Sequence, residues 1–422
     1  MIRRWREACR RAALRFCVLP LLAGGLPPAA TAGPAGPLAP VVARSAAASR
    51  PAALASPEAR LIEIYQLIHD GDTRRALARA EALTRDVPNF QLAQLVHGDL
   101  LLARRQPLPA LGAAPAELAA SAPDQLAQLR QEAGLRLAAL TERPPSGALP
   151  RQFLDIPVST RHAIAVDASR SRLYLFANDA KGLHLIADHY VSLGRLGVDK
   201  KEQGDQRTPL GAYFITSRLT PQQVAEFYGP GALTLNYPNE YDRRRGKTGG
   251  GIWLHGVPPA NFARGPQTTD GCVVLANPDL QRLLREVSPR RTPVVIAPKL
   301  EWVAPAQVER ERNAARAMIE QWRVARSQGD AARLLSFYSP QFQSGTADLA
   351  QWSQQVDKEL RATRGRSAEL KEMSILSWRD TGEVLIVTFG EVLSGQVTGP
   401  LKRQYWGKEG GQWKIFFEGV IL

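Results

Sequence analysis

The spacing of apolar residues changes twice along this chain, and those changes constrain its fold more than any other feature. Over residues 57–105 apolar side chains fall at Leu61, Ile64, Tyr65 and Ile68, then at Ala76, Leu77, Ala80 and Leu83. This is the three-and-four spacing of helices that bury one face. The turn signals "DGD" and "DVPN" divide the stretch into three helices, and residues 116–141 predict one more. After the Pro-rich break "ERPPSGALPRQ" the period drops to two. "HAIAVDASRSRLYLFAND" and "GLHLIADHYVSLGR" alternate, and the pattern runs on through "TPLGAYFITSRL" and "GIWLHG" to "TPVVIAPKL". These are strands of a hairpin-rich β domain. From residue 305 a long amphipathic helix and a second helix precede strands with Gly-rich turns, such as "GPLKRQYWGKEGGQWKIFFEGVIL". The expected class is α+β and multidomain: an N-terminal helical region, a central mostly-β domain and a C-terminal α+β cone.

A chain of 422 residues exceeds one ordinary domain, and 44% hydrophobic with 22% charged residues suffices for several cores. Residues 1–32 have the three-part layout of a secretory signal peptide. "MIRRWREACRRAALRF" carries six arginines and one glutamate, "CVLPLLAGGLPP" is a short apolar stretch, and "AATAG" offers small residues for cleavage after Ala32. The apolar stretch is broken by Gly and Pro and falls short of the ~20 residues a membrane span needs. Residues 33–56, rich in Ala, Pro, Gly and Ser, read as a flexible linker. The expected location is periplasmic. Removing residues 1–32 lowers the formal charge from +14 to +9, and a basic exported protein attracts acidic wall polymers or membrane surfaces. Export argues against nucleic acid as a partner.

Cys9 and Cys17 lie in the export segment, which leaves Cys272 as the one thiol of the mature chain. A lone thiol in an oxidising compartment is either a small buried hydrophobe or a reactive group. Its neighbours favour reaction. Gly271 permits a tight turn, and "TTDGC" supplies successive backbone N–H groups that can converge on a developing oxyanion. A thiol nucleophile needs a base that titrates near neutrality, and histidine suits that task. His162, His184 and His189 lie in alternating strands, where a half-exposed histidine is the ordinary outcome. His69 and His97 read as helix-surface or packing residues. His255 ends the apolar "GIWL" strand ahead of Gly256, where it can face a cleft. Asn277 and Pro278 are expected to cap the helix "NPDLQRLLREV". A metal site would need two more ligands beside Cys272 and His255, and no cysteine or clustered histidine supplies them. Neither metal nor cofactor is expected. A papain-like protease has its nucleophile ahead of its histidine, the reverse of the order here.

The pattern His255-Gly256, a spacer, then Thr269-Asp270-Gly271-Cys272 resembles the L,D-transpeptidase catalytic domain, the YkuD fold. "GDQRTPLGAYFIT" resembles that family's Thr-Pro-x-Gly-x-Tyr strand at Thr208, Pro209, Gly211 and Tyr213. "FYGPGALTLNYPNEYDRRRGKTGGGIWLHG" resembles the periplasmic cell-shape L,D-carboxypeptidases within the family, which add an N-terminal helical region and a C-terminal NTF2-like domain. The resemblance implies a helical region over 57–150, whose spacing is similar to a tetratricopeptide unit, a catalytic domain over 157–300 and an NTF2-like domain over 305–422. It implies Cys272 as nucleophile and His255 as base, oriented by the main-chain carbonyl of Gly256. Backbone N–H groups around Asp270, Gly271 and Cys272 would form the oxyanion hole, and Thr269 would brace the turn. The implied substrate is a peptidoglycan stem peptide, cut between meso-diaminopimelate and D-Ala through a thioester, with water or an amine as acceptor. Two departures stand out. Asp270 occupies a position where most relatives carry a basic residue or histidine, and a carboxylate there disfavours the thiolate. Val274 stands where many carry an arginine, so the substrate carboxylate falls to other groups. Arg264, Lys247, Trp253, Tyr237 and Asn277 are the candidates for substrate binding, with Arg243, Arg244 and Arg245 as further cations. Self-association through the helical region and a wall or protein ligand at the C-terminal domain complete the expected partners. A wall-binding scaffold with an inactive site is the alternative reading.

Overall fold

The computed structural model describes residues 56–113 and 121–421. The expected signal segment (1–32), residues 33–55 of the expected linker and residues 116–120 of the fourth expected helix lie outside them. The chain divides into two compact units at Pro123. In the first, the helices Pro57–Asp70, Thr73–Asp86 and Gln91–Leu102 bury Leu61, Ile64, Ala76, Ala80, Leu83 and Val96. Of the apolar positions in the helical spacing, Leu61, Ile64, Tyr65, Ala76, Ala80 and Leu83 are buried, and Ile68 and Leu77 are part-buried. Ser56 and Asp72 open the first two helices by accepting from the N–H groups of Ala59 and Arg75. Among the described residues no helix is long and apolar enough to cross a membrane.

From Asp124 on, the helix Pro123–Thr141 belongs to the second unit. Its Arg136, 2.8 Å from Glu132, stacks on the Tyr190 ring at 4.1 Å. The helical region expected over 57–150 is therefore split between the two units.

The second unit is built on a nine-stranded sheet. Its order is Val273–Leu275, Trp253–His255, Ala232–Leu235, Gly211–Leu219, Pro293–Ala297, His162–Asp167, Arg172–Asp179, Gly182–Gly194 and Gln267–Thr269. Val273–Leu275 also pairs with Gly182–Gly194, so the sheet closes on itself. The period of two holds, but it sorts side chains between two buried faces, not between core and water. Ile164, Val166, Tyr213 and Ile215 point into one core, closed by Leu280 and Leu283 of the helix Asn277–Glu286. Their neighbours Ala163, Ala165, Ala212 and Phe214 point into another. Burial on both faces corrects one expectation: His189 is buried and lies 3.0 Å from Asp279, although His162 and His184 stay part-exposed.

The second face is covered by a five-stranded sheet: Gln412–Val420, Leu401–Glu409, Glu383–Leu393, Ala368–Arg379 and Phe153–Asp155. Leu376, Trp378, Ile386, Tyr405 and Phe416 meet Phe176, Phe214 and Val295 in one continuous core. Phe153–Asp155 precedes the central sheet in sequence yet pairs with Ala368–Arg379. Leu149–Pro150 likewise pairs with Trp302–Val303. That second pair forms a separate two-stranded sheet. On its far side the five-stranded sheet curves around the helices Pro305–Gln328 and Leu349–Ala362, with Ile319, Trp322, Val356 and Leu360 against Val387, Phe389, Trp406 and Ile415. Inside that cone Lys402 lies 2.7 Å from Glu391 and 3.3 Å from Glu418, and Arg326 lies 3.0 Å from Glu391.

The shared core makes the two sheets one cooperative unit. Phe176→Ala is expected to destabilise it by about 3–5 kcal/mol, because a fully buried ring is lost from between the sheets. Urea unfolding followed by tryptophan fluorescence measures this. A loss below about 1 kcal/mol would contradict the shared core.

Candidate active site

Two short parallel strands carry the site. Trp253–His255 pairs with Val273–Leu275 in the register Val273 to Leu254 and Val274 to His255. Directly paired residues point to the same face, and so do residues two apart. His255 therefore shares a face with Val274 and with Cys272 just before it. The ladder brings together the histidine and cysteine that lie seventeen residues apart in sequence.

The turn before Cys272 is fixed by close contacts. Gly271 has φ 123°, and a Cβ there would lie 2.6 Å from the Arg207 carbonyl oxygen, so only glycine fits. The Thr269 hydroxyl donates to the Cys272 carbonyl at 2.8 Å and accepts from the Gly271 N–H at 3.1 Å. That second bond revises the expected oxyanion hole. The Gly271 N–H is engaged by Thr269, which leaves Asp270 and Cys272 as the candidate donors of this turn. The thiol faces the Gly251 carbonyl at 3.5 Å.

His255 is 2% exposed. Its Nδ1 lies 2.7 Å from the Gly256 carbonyl oxygen. A carbonyl only accepts, so Nδ1 carries the proton and Nε2 presents a lone pair. The Tyr228 ring meets the imidazole edge-on at 4.9 Å and packs on Trp253 at 5.0 Å; Phe227 lies 6.3 Å from the imidazole. Arg264 lies over Phe227 at 4.2 Å. Of this aromatic wall Trp253 was a sequence candidate, but Phe227 and Tyr228 were not singled out in the sequence. The available signal was the pair Phe227-Tyr228 just ahead of Gly-Pro-Gly, but nothing in the spacing ties it to His255.

Asn277 occupies a different place from the one expected. The helix begins at Asn277 with Ala276 as its cap residue, and Asn277 makes no cap. Its Oδ1 accepts from the Val257 N–H and its Nδ2 donates to the Val257 carbonyl, both at 2.9 Å. A Cβ on Gly256 would lie 2.2 Å from that Oδ1, so glycine is required for the approach. Asn277 thus clamps the backbone that carries the Gly256 carbonyl, and hence the histidine.

The other candidates separate clearly. Trp253 borders the thiol, and its backbone N–H is bonded to the sulfur. Arg264 interacts electrostatically with both Cys272 and His255. Lys247 is buried and held by Asp242 at 3.4 Å and Asp199 at 3.6 Å. Tyr237 lies in the core with its hydroxyl on the Thr248 carbonyl at 3.2 Å. Arg243 pairs with Glu240, Arg244 with Glu409 at 3.4 Å, and Arg245 with Asp380. Two of the three consecutive arginines therefore fasten the central sheet to the C-terminal sheet.

Burial pushes the Cys272 thiol above its ordinary value, and Asp270 adds to that; the Trp253 N–H, Arg264 and Lys200 oppose it. Burial pulls His255 down to about 4; the Gly256 carbonyl opposes this and Arg264 adds to it. Near neutral pH both groups are therefore uncharged, a thiol beside a neutral imidazole. Lys200 is itself held by Asp205 at 2.6 Å. Burial opposes ionisation of Asp205, yet Lys200 and three backbone N–H groups hold it at about 2. Among the described residues no group of three or more His, Cys, Asp or Glu side chains could hold a metal ion.

Residues 161–296 match the L,D-transpeptidase catalytic domain family (YkuD), and residues 314–419 match the Cds6 C-terminal NTF2-like domain. The structure is similar to that of Bd1075 from Bdellovibrio bacteriovorus, at 26% identity and TM-score 0.55, over 65% of this chain and 98% of that one. It is also similar to Pgp2, the helical cell shape determining protein of Campylobacter jejuni, at 21% identity and TM-score 0.51, over 69% of this chain and 100% of that one. No curated protein sequence matches the chain.

Two outcomes are expected at this site. Asp270→Asn should shift the pH midpoint of Cys272 alkylation by iodoacetamide downward, and Arg264→Gln upward, because the two charges act on the thiol with opposite sign. Unchanged midpoints in both variants would contradict the electrostatic account. Asn277→Ala should cost about 1–3 kcal/mol in denaturant unfolding, since two backbone groups of Val257 lose their partners.

Proposed function

Because residues 161–296 form an L,D-transpeptidase catalytic domain and residues 314–419 an NTF2-like domain, we propose that this protein trims or crosslinks peptidoglycan stems through a thioester on Cys272. The observation that carries the reading is the pairing of two neutral groups: a thiol and an imidazole share one face of adjacent parallel strands, and Nδ1 is anchored on the Gly256 carbonyl.

The reaction follows from those groups. The donor is a tetrapeptide stem, and the bond cut joins meso-diaminopimelate to D-Ala. The sulfur attacks the carbonyl carbon while the thiol proton moves to His255 Nε2. The oxyanion is met by the backbone N–H groups of Asp270 and Cys272. The intermediate collapses, the C–N bond breaks, and His255 returns the proton to the departing amine of D-Ala. Water then releases a tripeptide, or an amine of a second stem forms a crosslink. Arg264 is the cation best situated for the substrate carboxylate, a task that Val274 cannot perform. The wall of Phe227, Tyr228 and Trp253 excludes water from the imidazole. The substrate implies an enzyme of the periplasm, in keeping with the export layout of residues 1–32.

The direct test is mass spectrometry of products from disaccharide tetrapeptide, with and without an acceptor stem. Loss of D-Ala by the wild-type chain, and at least about a thousandfold slower loss by Cys272→Ala, is expected. Tripeptide alone identifies a carboxypeptidase and dimer identifies a transpeptidase. Full activity of Cys272→Ala would overturn the assignment, and no product from either chain would favour a scaffold. The pH profile gives a second check. His255 must be neutral to accept the proton, so kcat/KM should rise with pH through a midpoint near 4, the depressed value of His255. An acid limb near 6.5 would contradict the buried neutral base.

A further inference from the structure

The strand Leu401–Glu409 sends alternate side chains into two environments. Lys402 and Trp406 point into the cone, toward Glu391 and the apolar interior. Arg403 and Tyr405 point the opposite way, toward the central sheet. Tyr405 joins the core shared by the two sheets, and the Arg403 guanidinium lies 3.5 Å from the centre of the Phe214 ring.

A cation withdrawn from water normally meets a carboxylate, because an uncompensated charge in a protein interior is costly. The described residues include seven buried lysines and arginines: Arg136, Arg172, Lys200, Lys247, Arg326, Lys402 and Arg403. Six of them obey the rule. Arg136 meets Glu132 at 2.8 Å, Arg172 meets Asp188 at 2.6 Å and Lys200 meets Asp205 at 2.6 Å. Lys247 meets Asp242 at 3.4 Å, Arg326 meets Glu391 at 3.0 Å and Lys402 meets Glu391 at 2.7 Å. Arg403, 5% exposed, is the seventh, and among the described residues it has no carboxylate within ion-pair distance. Its Nε donates to the Thr388 hydroxyl at 2.8 Å and its plane rests on Phe214. A further donor of the guanidinium meets the Tyr405 side chain, and the remaining edge of the planar fork suits a carboxylate.

Arg403 borders a cleft of about 400 Å³ between the central sheet and the C-terminal sheet. Thr216, Asn236, Tyr405 and Arg243 line it with Arg403. Asn236 accepts from the Phe214 N–H at 2.7 Å through Oδ1, so its Nδ2 supplies further donors. Glu240, the acid of the lining, is held by Arg243. A cleft of this size, with aromatic walls and a few polar groups, suits a ligand of one or two residues.

We propose that this cleft is a carboxylate-binding subsite, distinct from the residues around Cys272, in which Arg403 grips a free carboxylate of a peptidoglycan stem other than the one being cut. The nature of the ligand rests on the substrate proposed above; the carboxylate chemistry rests on Arg403 alone. Such a subsite would hold the protein to its polymer while the thiol acts on a neighbouring stem.

The test is calorimetric titration of the full chain carrying Cys272→Ala with the stem tripeptide L-Ala–γ-D-Glu–meso-diaminopimelate, and with the same tripeptide amidated at its carboxylates. Adding Arg403→Gln should weaken one class of tripeptide binding by about tenfold or more, and amidation should remove the same class. With Cys272 intact, Arg403→Gln should cleave soluble tetrapeptide within about twofold of wild type. Tripeptide binding indifferent to Arg403→Gln, in a chain that still cleaves tetrapeptide, overturns the subsite and leaves the proposed activity standing. Arg403-dependent binding in a chain that never cleaves tetrapeptide supports the subsite and overturns the activity. Should Arg403→Gln not fold, amide NMR shifts in the Cys272→Ala chain decide. Shifts at Thr216, Asn236 and Gly419 support the subsite, and shifts confined to the Cys272 turn overturn it.

Discussion

The parallel pairing of Trp253–His255 with Val273–Leu275 is the contact on which the proposed chemistry depends. Three residues on each side set the register, and the register alone decides whether the imidazole and the thiol share a face. A slip by one residue would turn them apart. Three devices hold that register. The short strand after Cys272 is paired on both sides, to Trp253–His255 and to Gly182–Gly194. Thr269 ties the turn into Cys272. Asn277 ties the backbone after His255 to the start of the following helix. The site is therefore rigid because its two strands are short and individually clamped, not because they belong to long ladders.

Burial of both faces of the central sheet explains the electrostatics as well as the fold. Leu254 beside the histidine points into one core, and Phe227 and Tyr228 close over the imidazole on the other face, so little of it reaches water. A charged imidazole is then disfavoured, and so is a charged thiolate. In the proposed reaction the pair starts as neutral donor and neutral acceptor, and charge develops only as the substrate reacts. Arg264, Lys200 and Asp270 trim this balance from the rim, where they act on the thiol with opposing signs. The same burial gives the C-terminal sheet a mechanical role. It covers Phe176 and Phe214 on one face, and its own helices close the other.

Much of this was legible in the sequence for specific reasons. The period of apolar residues located the helices of the first unit, and the alternation located the strands of the second. Gly271-Cys272 and His255-Gly256 marked the proposed reactive pair, because each proposed role needs its residue type with a glycine beside it. What periodicity could not carry was partnership. Alternation looks the same whether the second face meets water or another sheet, so the burial of His189 was missed. Phe153–Asp155 reads as part of the central domain by position, yet its hydrogen bonds go to Ala368–Arg379. Asn277 has the residue type and position of a helix cap, but the proximity of Val257 diverts its amide. Arg244 and Arg245 read as free cations because Glu409 and Asp380 lie more than a hundred residues away in sequence.

The claim at the centre of this account is a covalent one, that Cys272 carries the acyl group. Acid quenching of the wild-type chain during turnover of tetrapeptide, followed by peptide mass mapping, tests it most directly. The account expects the mass of the acyl tripeptide, less water, on the peptide containing Gly271-Cys272, and its removal by hydroxylamine. An adduct on another residue, or turnover with Cys272 free at every quench time, would contradict it.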